Sequence, residues 1–76
     1  MIKVVIIEDE TMLRDFVVEA LSEYSDCKIM GTHGDGIQAW EGCLEHKPDF
    51  VILDVNLPSL NGIEILHRIK QKLPDT

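Results

Sequence analysis

The chain has 76 residues, 45% of them hydrophobic, with 14 acidic against 7 basic side chains and a net charge of −7. That length allows at most one small domain, which hides a low share of its surface unless a partner covers it. The acid excess repels nucleic-acid phosphate and argues against a DNA- or RNA-binding surface. Ordered apolar runs argue against a disordered tail, and no run reaches transmembrane length.

Residues 2–7 are a β-branched run, which predicts a strand buried on both faces, as in a parallel sheet. The run is too short for a signal peptide and meets Glu8-Asp9-Glu10 at once, so a cytoplasmic location is expected. Residues 11–24 have helical spacing. Leu13, Phe16, Val17, Ala20 and Leu21 fall on an apolar stripe, and Arg14, Asp15, Glu19, Ser22 and Glu23 fall on the other face. Residues 27–32 read as a second strand, at a sheet edge. Gly34-Asp35-Gly36 reads as a turn and helix cap; it lacks the lysine and the spacing of a phosphate loop.

Ile37, Trp40, Cys43, Leu44 and Lys47 follow at helical spacing, until Pro48 closes the segment. Residues 50–55 predict a third strand, apolar except for Asp54. Turn residues Pro58, Asn61 and Gly62 then lead into a helix traced by Ile63, Leu66, Ile69, Lys70 and Leu73. Arg68, Lys70 and Lys72 cluster near its end, where cations suit the helix dipole. Cys27 and Cys43 lack zinc-ligand spacing and read as reduced, packed thiols. His33, His46 and His67 are dispersed and read as surface or boundary residues, and Trp40 reads as a packing anchor.

The order β-α-β-α-β-α predicts an α/β fold with a parallel sheet and right-handed crossovers. Ligands of such sheets bind at the carboxyl ends of the strands. Two strands here run into acids, Glu8-Asp9 and Asp54, which meet if the strands are central and parallel. Crowded carboxylates repel, and a divalent cation removes the conflict. Mg²⁺ takes oxygen ligands and needs only one or two direct carboxylates, so the backbone carbonyl of Asn56 is a further candidate. A carboxylate beside Mg²⁺ can attack phosphorus and form an acyl phosphate. The plainer alternative is a structural carboxylate at a strand end.

Three stretches, residues 4–10, residues 48–58 and Asn61-Gly62, resemble response-regulator receiver domains in order and spacing. They are similar to the first strand with its acid pair, the third strand with its phosphoacceptor and loop, and the turn that opens the third helix. The resemblance implies a flavodoxin-like fold with strand order 2-1-3. It implies Asp54 as phosphoacceptor, Asp9 as a direct Mg²⁺ ligand, Glu8 acting through water or a second contact, and the Asn56 carbonyl completing the set. Pro58 and Gly62 would shape the loop. The phosphoryl donor would be a sensor histidine kinase docking around Arg14, Asp15 and Val18. The chain would be a phosphoacceptor rather than an enzyme, beyond slow autodephosphorylation. Its start also resembles receivers that precede helix-turn-helix DNA-binding domains.

The same resemblance implies that residues 1–76 are the N-terminal part of a receiver, without its last two strands and helices. A Ser or Thr and a Lys that contact the phosphoryl group find no match here. Thr76 comes too early, and Lys70 and Lys72 lie on the third helix. The third strand is then expected to have an open edge and to self-associate with a second copy. Two other classes are an inert assembly fragment of the same fold and a Mg²⁺-dependent aspartyl phosphohydrolase. The latter usually carries an acid where Asn56 stands.

Overall fold

The computed structural model describes residues Met1 to Thr76. In chain order the elements are β1 (Ile2–Ile7), α1 (Thr11–Ser22), β2 (Cys27–His33), α2 (Gly36–His46), β3 (Phe50–Leu53) and α3 (Gly62–Lys72). The three strands form one parallel sheet in the order β2-β1-β3, the expected topology. β1 is central, and Val5, Ile6 and Ile7 are fully buried. This is why its sequence is apolar without alternation. Val4 pairs with Ile29 but Val5 pairs with Gly31, so Met30 is an extra residue in the edge strand.

Boundaries differ from the sequence reading where local hydrogen bonds intervene. α1 ends at Ser22 because the chain turns back, with the Tyr24 N–H on the Leu21 carbonyl at 3.0 Å. β3 ends at Leu53 because the Asn56 N–H turns onto the Asp54 side chain at 3.2 Å instead of continuing a ladder. α2 starts where expected, with Asp35 as its cap accepting from the Ile37 and Gln38 N–H groups. The turn-and-cap reading of Gly34-Asp35-Gly36 therefore holds.

α2 and α3 cover one face of the sheet. Their core joins Val5 and Ile7 of β1 to Ala39, Cys43, Ile65 and Ile69. The helix faces are rotated from the predicted stripes. α2 buries Gly36, Ala39, Gly42 and Cys43, while Ile37 and Leu44 are exposed and Lys47 is the left-handed C-cap. Small residues win that face because the helix lies so close to its neighbours. A Cβ on Gly36 would collide with the Leu60 carbonyl, and one on Gly42 would stand 2.5 Å from His33 Nε2. α3 seats Ile65 and Ile69 and leaves Ile63 and Leu66 exposed. Truncating Ile65 to alanine is expected to cost about 3 kcal/mol, read from the urea unfolding midpoint.

α1 covers the other face, mainly over β2 and β1. It has no fully buried residue. Arg14, Val17, Val18 and Leu21 are its half-buried side, whereas Leu13, Phe16 and Ala20, predicted to face inward, are exposed. The predicted stripe thus differs from the structure at Leu13, Phe16 and Ala20 and, on the other face, at Arg14; the arginine turns inward because its guanidinium finds a backbone partner. Cys43 is buried, and desolvation pushes its thiol up to about 11; Cys27 is half-buried, and both are free. Trp40 packs against the core from its edge, with the Arg68 guanidinium 5.9 Å from its ring.

Candidate functional site

The sheet delivers its acids to one end. The Glu8 N–H still bonds to the ladder, on the His33 carbonyl at 2.9 Å, and the Asp54 N–H reaches the Ile7 carbonyl at 2.9 Å. Glu8 and Asp9 thus leave the sheet beside Asp54. Carboxylate oxygens of Glu8, Asp9 and Asp54 all lie within 4.8 Å of one another. The three residues singled out from sequence are brought together. Asn56 follows Asp54 on an exposed turn.

The loop after Asp54 is held from two sides. The Gly62 N–H donates to the Val55 carbonyl at 2.9 Å, and Asn61 caps α3 by accepting from the Glu64 N–H at 3.0 Å. A Cβ on Gly62 would collide with the Asp54 carbonyl, so only glycine lets α3 start this close. On the other side, the Gly36 N–H donates to the Pro58 carbonyl at 3.1 Å and the Ile37 N–H to Ser59 Oγ at 3.2 Å. Pro58 and Gly62 therefore shape the loop through backbone contacts.

The charges in the cluster are unequal. The Glu10 N–H pulls the Glu8 pKa down, but partial desolvation and the neighbouring Asp54 and Asp9 outweigh it, and Glu8 ends above its ordinary value. Asp54 is held below its ordinary value by the Asn56 N–H and by a hydrogen bond with Glu8. Without a cation, Glu8 is thus easier to protonate than an ordinary glutamate, and Asp54 harder than an ordinary aspartate. Three oxygens of this kind, in a cluster that strains against its own charge, fit a hard divalent cation.

Other predicted residues lie elsewhere. Thr76 Oγ donates to the Pro48 carbonyl at 2.8 Å, at the opposite end of β3 from Asp54. Lys70 and Lys72 occupy the last turn of α3. Of Arg14, Asp15 and Val18, only Asp15 is exposed. Met12, Phe16 and Glu19 are exposed on α1, whereas Arg14 and Val18, two of the three residues expected at the docking surface, are half-buried. Sequence reading missed two residues near the site. His33 has a buried, unpartnered Nε2, and burial lowers its pKa, with smaller contributions from His46 and Arg14. Arg14 Nη1 donates to the Glu8 carbonyl at 3.1 Å. A signal for Arg14 existed: a lone cation in the first turn of a helix opposes the dipole there and calls for a partner.

The response regulator receiver domain family model matches residues 4–76, and the chain belongs to that family. A protein-glutamate methylesterase/protein-glutamine glutaminase of Nitrosospira multiformis is 34% identical over 97% of this chain, which covers 21% of that protein. The oxygen regulatory protein NreC of Staphylococcus epidermidis is 33% identical over 97% of this chain and 34% of its own length. The chain thus spans a fifth to a third of these relatives. Among solved structures, the response regulator domain of Thermotoga maritima CheB superposes with a TM-score of 0.91 at 35% identity. That match covers 97% of this chain and 55% of the other. A LuxR-family DNA-binding response regulator from Staphylococcus aureus gives 0.91 at 31% identity, over 99% of this chain and 62% of the other. No helix is long and apolar enough to cross a membrane.

Proposed function

We propose that Asp54 accepts a phosphoryl group from the phosphohistidine of a sensor histidine kinase, in a cytoplasmic two-component system. The observation that carries this reading is the convergence of Glu8, Asp9 and Asp54 within 4.8 Å at the carboxyl end of two adjacent parallel strands. Asp9, Asp54 and the Asn56 carbonyl would hold Mg²⁺, with Glu8 acting through water. The ion, when bound, offsets charge between the acids and the phosphoryl oxygens. An Asp54 carboxylate oxygen forms the new bond to phosphorus as the P–N bond to the kinase imidazole breaks. The Asn56 N–H keeps Asp54 ionised and turned toward its neighbours for this attack. The chain accepts the group rather than turning substrate over. The methylesterase activity in a relative's name is not assigned to it, since the match covers 21% of that protein.

Residues 1–76 would form the N-terminal part of the domain, supplying the metal and nucleophile side of the site. A phosphoryl-contacting hydroxyl and lysine would come from outside these residues. Kinship with a LuxR-family DNA-binding response regulator favours an output in transcription. β3 pairs only with β1, and Phe50 on it is 62% exposed, beside a hollow of about 240 Å³ lined by Ile2, Val4, Leu21, Cys27, Phe50 and Ile52. These features support self-association of two copies at that edge and the adjoining sheet face, and the net charge of −7 disfavours nucleic acid or an anionic membrane surface as a partner of this segment.

Acetyl phosphate with Mg²⁺ is the direct test. Intact-mass measurement is expected to show one added phosphoryl group in wild type and none in Asp54→Asn. No addition at any Mg²⁺ concentration would favour the inert assembly fragment. Steady turnover of a generic phosphate monoester would favour the phosphohydrolase.

A further inference from the structure

Arg14 stands where a cation is least expected, in the first turn of α1, the helix that directly follows three acids. Its guanidinium makes no ion pair with any of them, since the only ion pair of the fold is Arg68 with Glu64. It bonds instead to the backbone, as the single donor to the Glu8 carbonyl. That carbonyl lies just past the end of the β1 ladder, where no strand can take it.

Space for this contact is built into another segment. A Cβ on Gly34 would stand 2.7 Å from Arg14 Nη1, 3.5 Å from the Asp9 Cα and 3.6 Å from the Glu8 carbonyl oxygen. Gly34 does not have a positive φ. The glycine therefore supplies room rather than an unusual backbone conformation. The guanidinium lies between the end of β1 and the connection from β2 to α2.

The peptide between Glu8 and Asp9 is a rigid plane carrying the Glu8 carbonyl and the Asp9 N–H. Anchoring the carbonyl fixes that plane and with it the direction in which Asp9 leaves the backbone. We infer that Arg14, admitted by Gly34, is a positioning residue that sets the relative placement of Glu8 and Asp9 for a divalent cation. The inference rests on the metal-site reading given above. It makes a prediction opposite in sign to a purely electrostatic role. A cation beside a metal site repels Mg²⁺, so a charge effect alone would make Arg14→Ala bind Mg²⁺ more tightly. Loss of positioning makes it bind more weakly.

Calorimetric Mg²⁺ titration of the wild type, Arg14→Ala and Gly34→Ala tests this. The added methyl of Gly34→Ala meets only the mobile tip of Arg14 closely, so it displaces the guanidinium at little cost to the fold. Both variants are expected to bind Mg²⁺ roughly tenfold more weakly, the usual scale for losing a group that orients a ligand. In metal-free protein, ¹⁵N relaxation is expected to show a lower order parameter at the Asp9 amide in both. Unchanged or tighter Mg²⁺ binding in Arg14→Ala would overturn the inference. A wild type that binds no Mg²⁺ would sink the metal-site reading instead. The Asp9 order parameter then decides the positioning role by itself: a loss in both variants upholds it, and no change overturns it.

Discussion

Gly62→Ala is expected to destabilise the fold by about 3 kcal/mol, the scale of a forced backbone shift in a packed region. The sign is the informative part. Gly62 is the first residue of α3, and exchanging glycine for alanine in a helix ordinarily stabilises by about 1 kcal/mol. Here the new Cβ collides with the Asp54 carbonyl and comes within 2.8 Å of the Val55 Cα. Both neighbours are backbone and cannot rotate aside. Either α3 retreats, unseating Ile65 and Ile69 from the core, or the loop moves and carries Asp54 away from Glu8 and Asp9. The first route appears as a lower urea midpoint, the second as weaker Mg²⁺ binding with a smaller loss of stability. A variant as stable as wild type, with unchanged Mg²⁺ binding, would show that α3 does not start against Asp54.

The collision could not be read from sequence, although Gly62 was singled out as a turn residue. The same division runs through the molecule. Strand identity and the acids at the strand ends follow from apolar runs and their interruptions, which are one-dimensional signals, whereas the strand order comes from the family resemblance. Helix rotation follows from neither. α2 carries Ile37, Trp40 and Leu44 on one side and Gly36, Ala39 and Gly42 on another, and hydrophobicity alone favours the larger set. Close packing favours the smaller one, because His33 and the Leu60 loop need the space that glycine leaves. Phe16 misled for a related reason: α1 covers β2 and β1, so an aromatic residue on its far flank stays 68% exposed. The acid cluster was legible because charge at a strand end is rare. Its support by Arg14 and Gly34 was not, because it runs through a backbone carbonyl that no side-chain pattern reports.

Glu8→Gln is expected to stabilise the metal-free protein at neutral pH while weakening Mg²⁺ binding roughly tenfold. The folded-state pKa of Glu8 is raised above its ordinary 4.5; the Glu10 N–H works against the shift, and desolvation, Asp54 and Asp9 prevail. A raised group contributes stability that is fully present below its unfolded pKa and is lost as pH rises through the folded value. At pH 7 Glu8 is therefore ionised at a cost, and the amide removes that cost. Below pH 4.5 the wild-type carboxyl is already protonated and the gain disappears. Asp54 runs the other way. Its pKa is lowered, first by the Asn56 N–H, so its contribution exists above 3.8 and fades as pH falls through the lower folded value. Mg²⁺ inverts the balance at Glu8, because the ion favours the ionised cluster and, toward acid pH, competes with the proton that Glu8 takes up. Thermal melts across this range, with and without Mg²⁺, separate the contributions. The wild type should gain from Mg²⁺ at pH 7 and lose that gain toward pH 4.5, whereas Glu8→Gln should start higher and gain less. Equal metal-free stability of the two proteins at pH 7 would mean that the carboxylates do not strain against one another, and with that the physical reason for a cation at this end of the sheet would be gone.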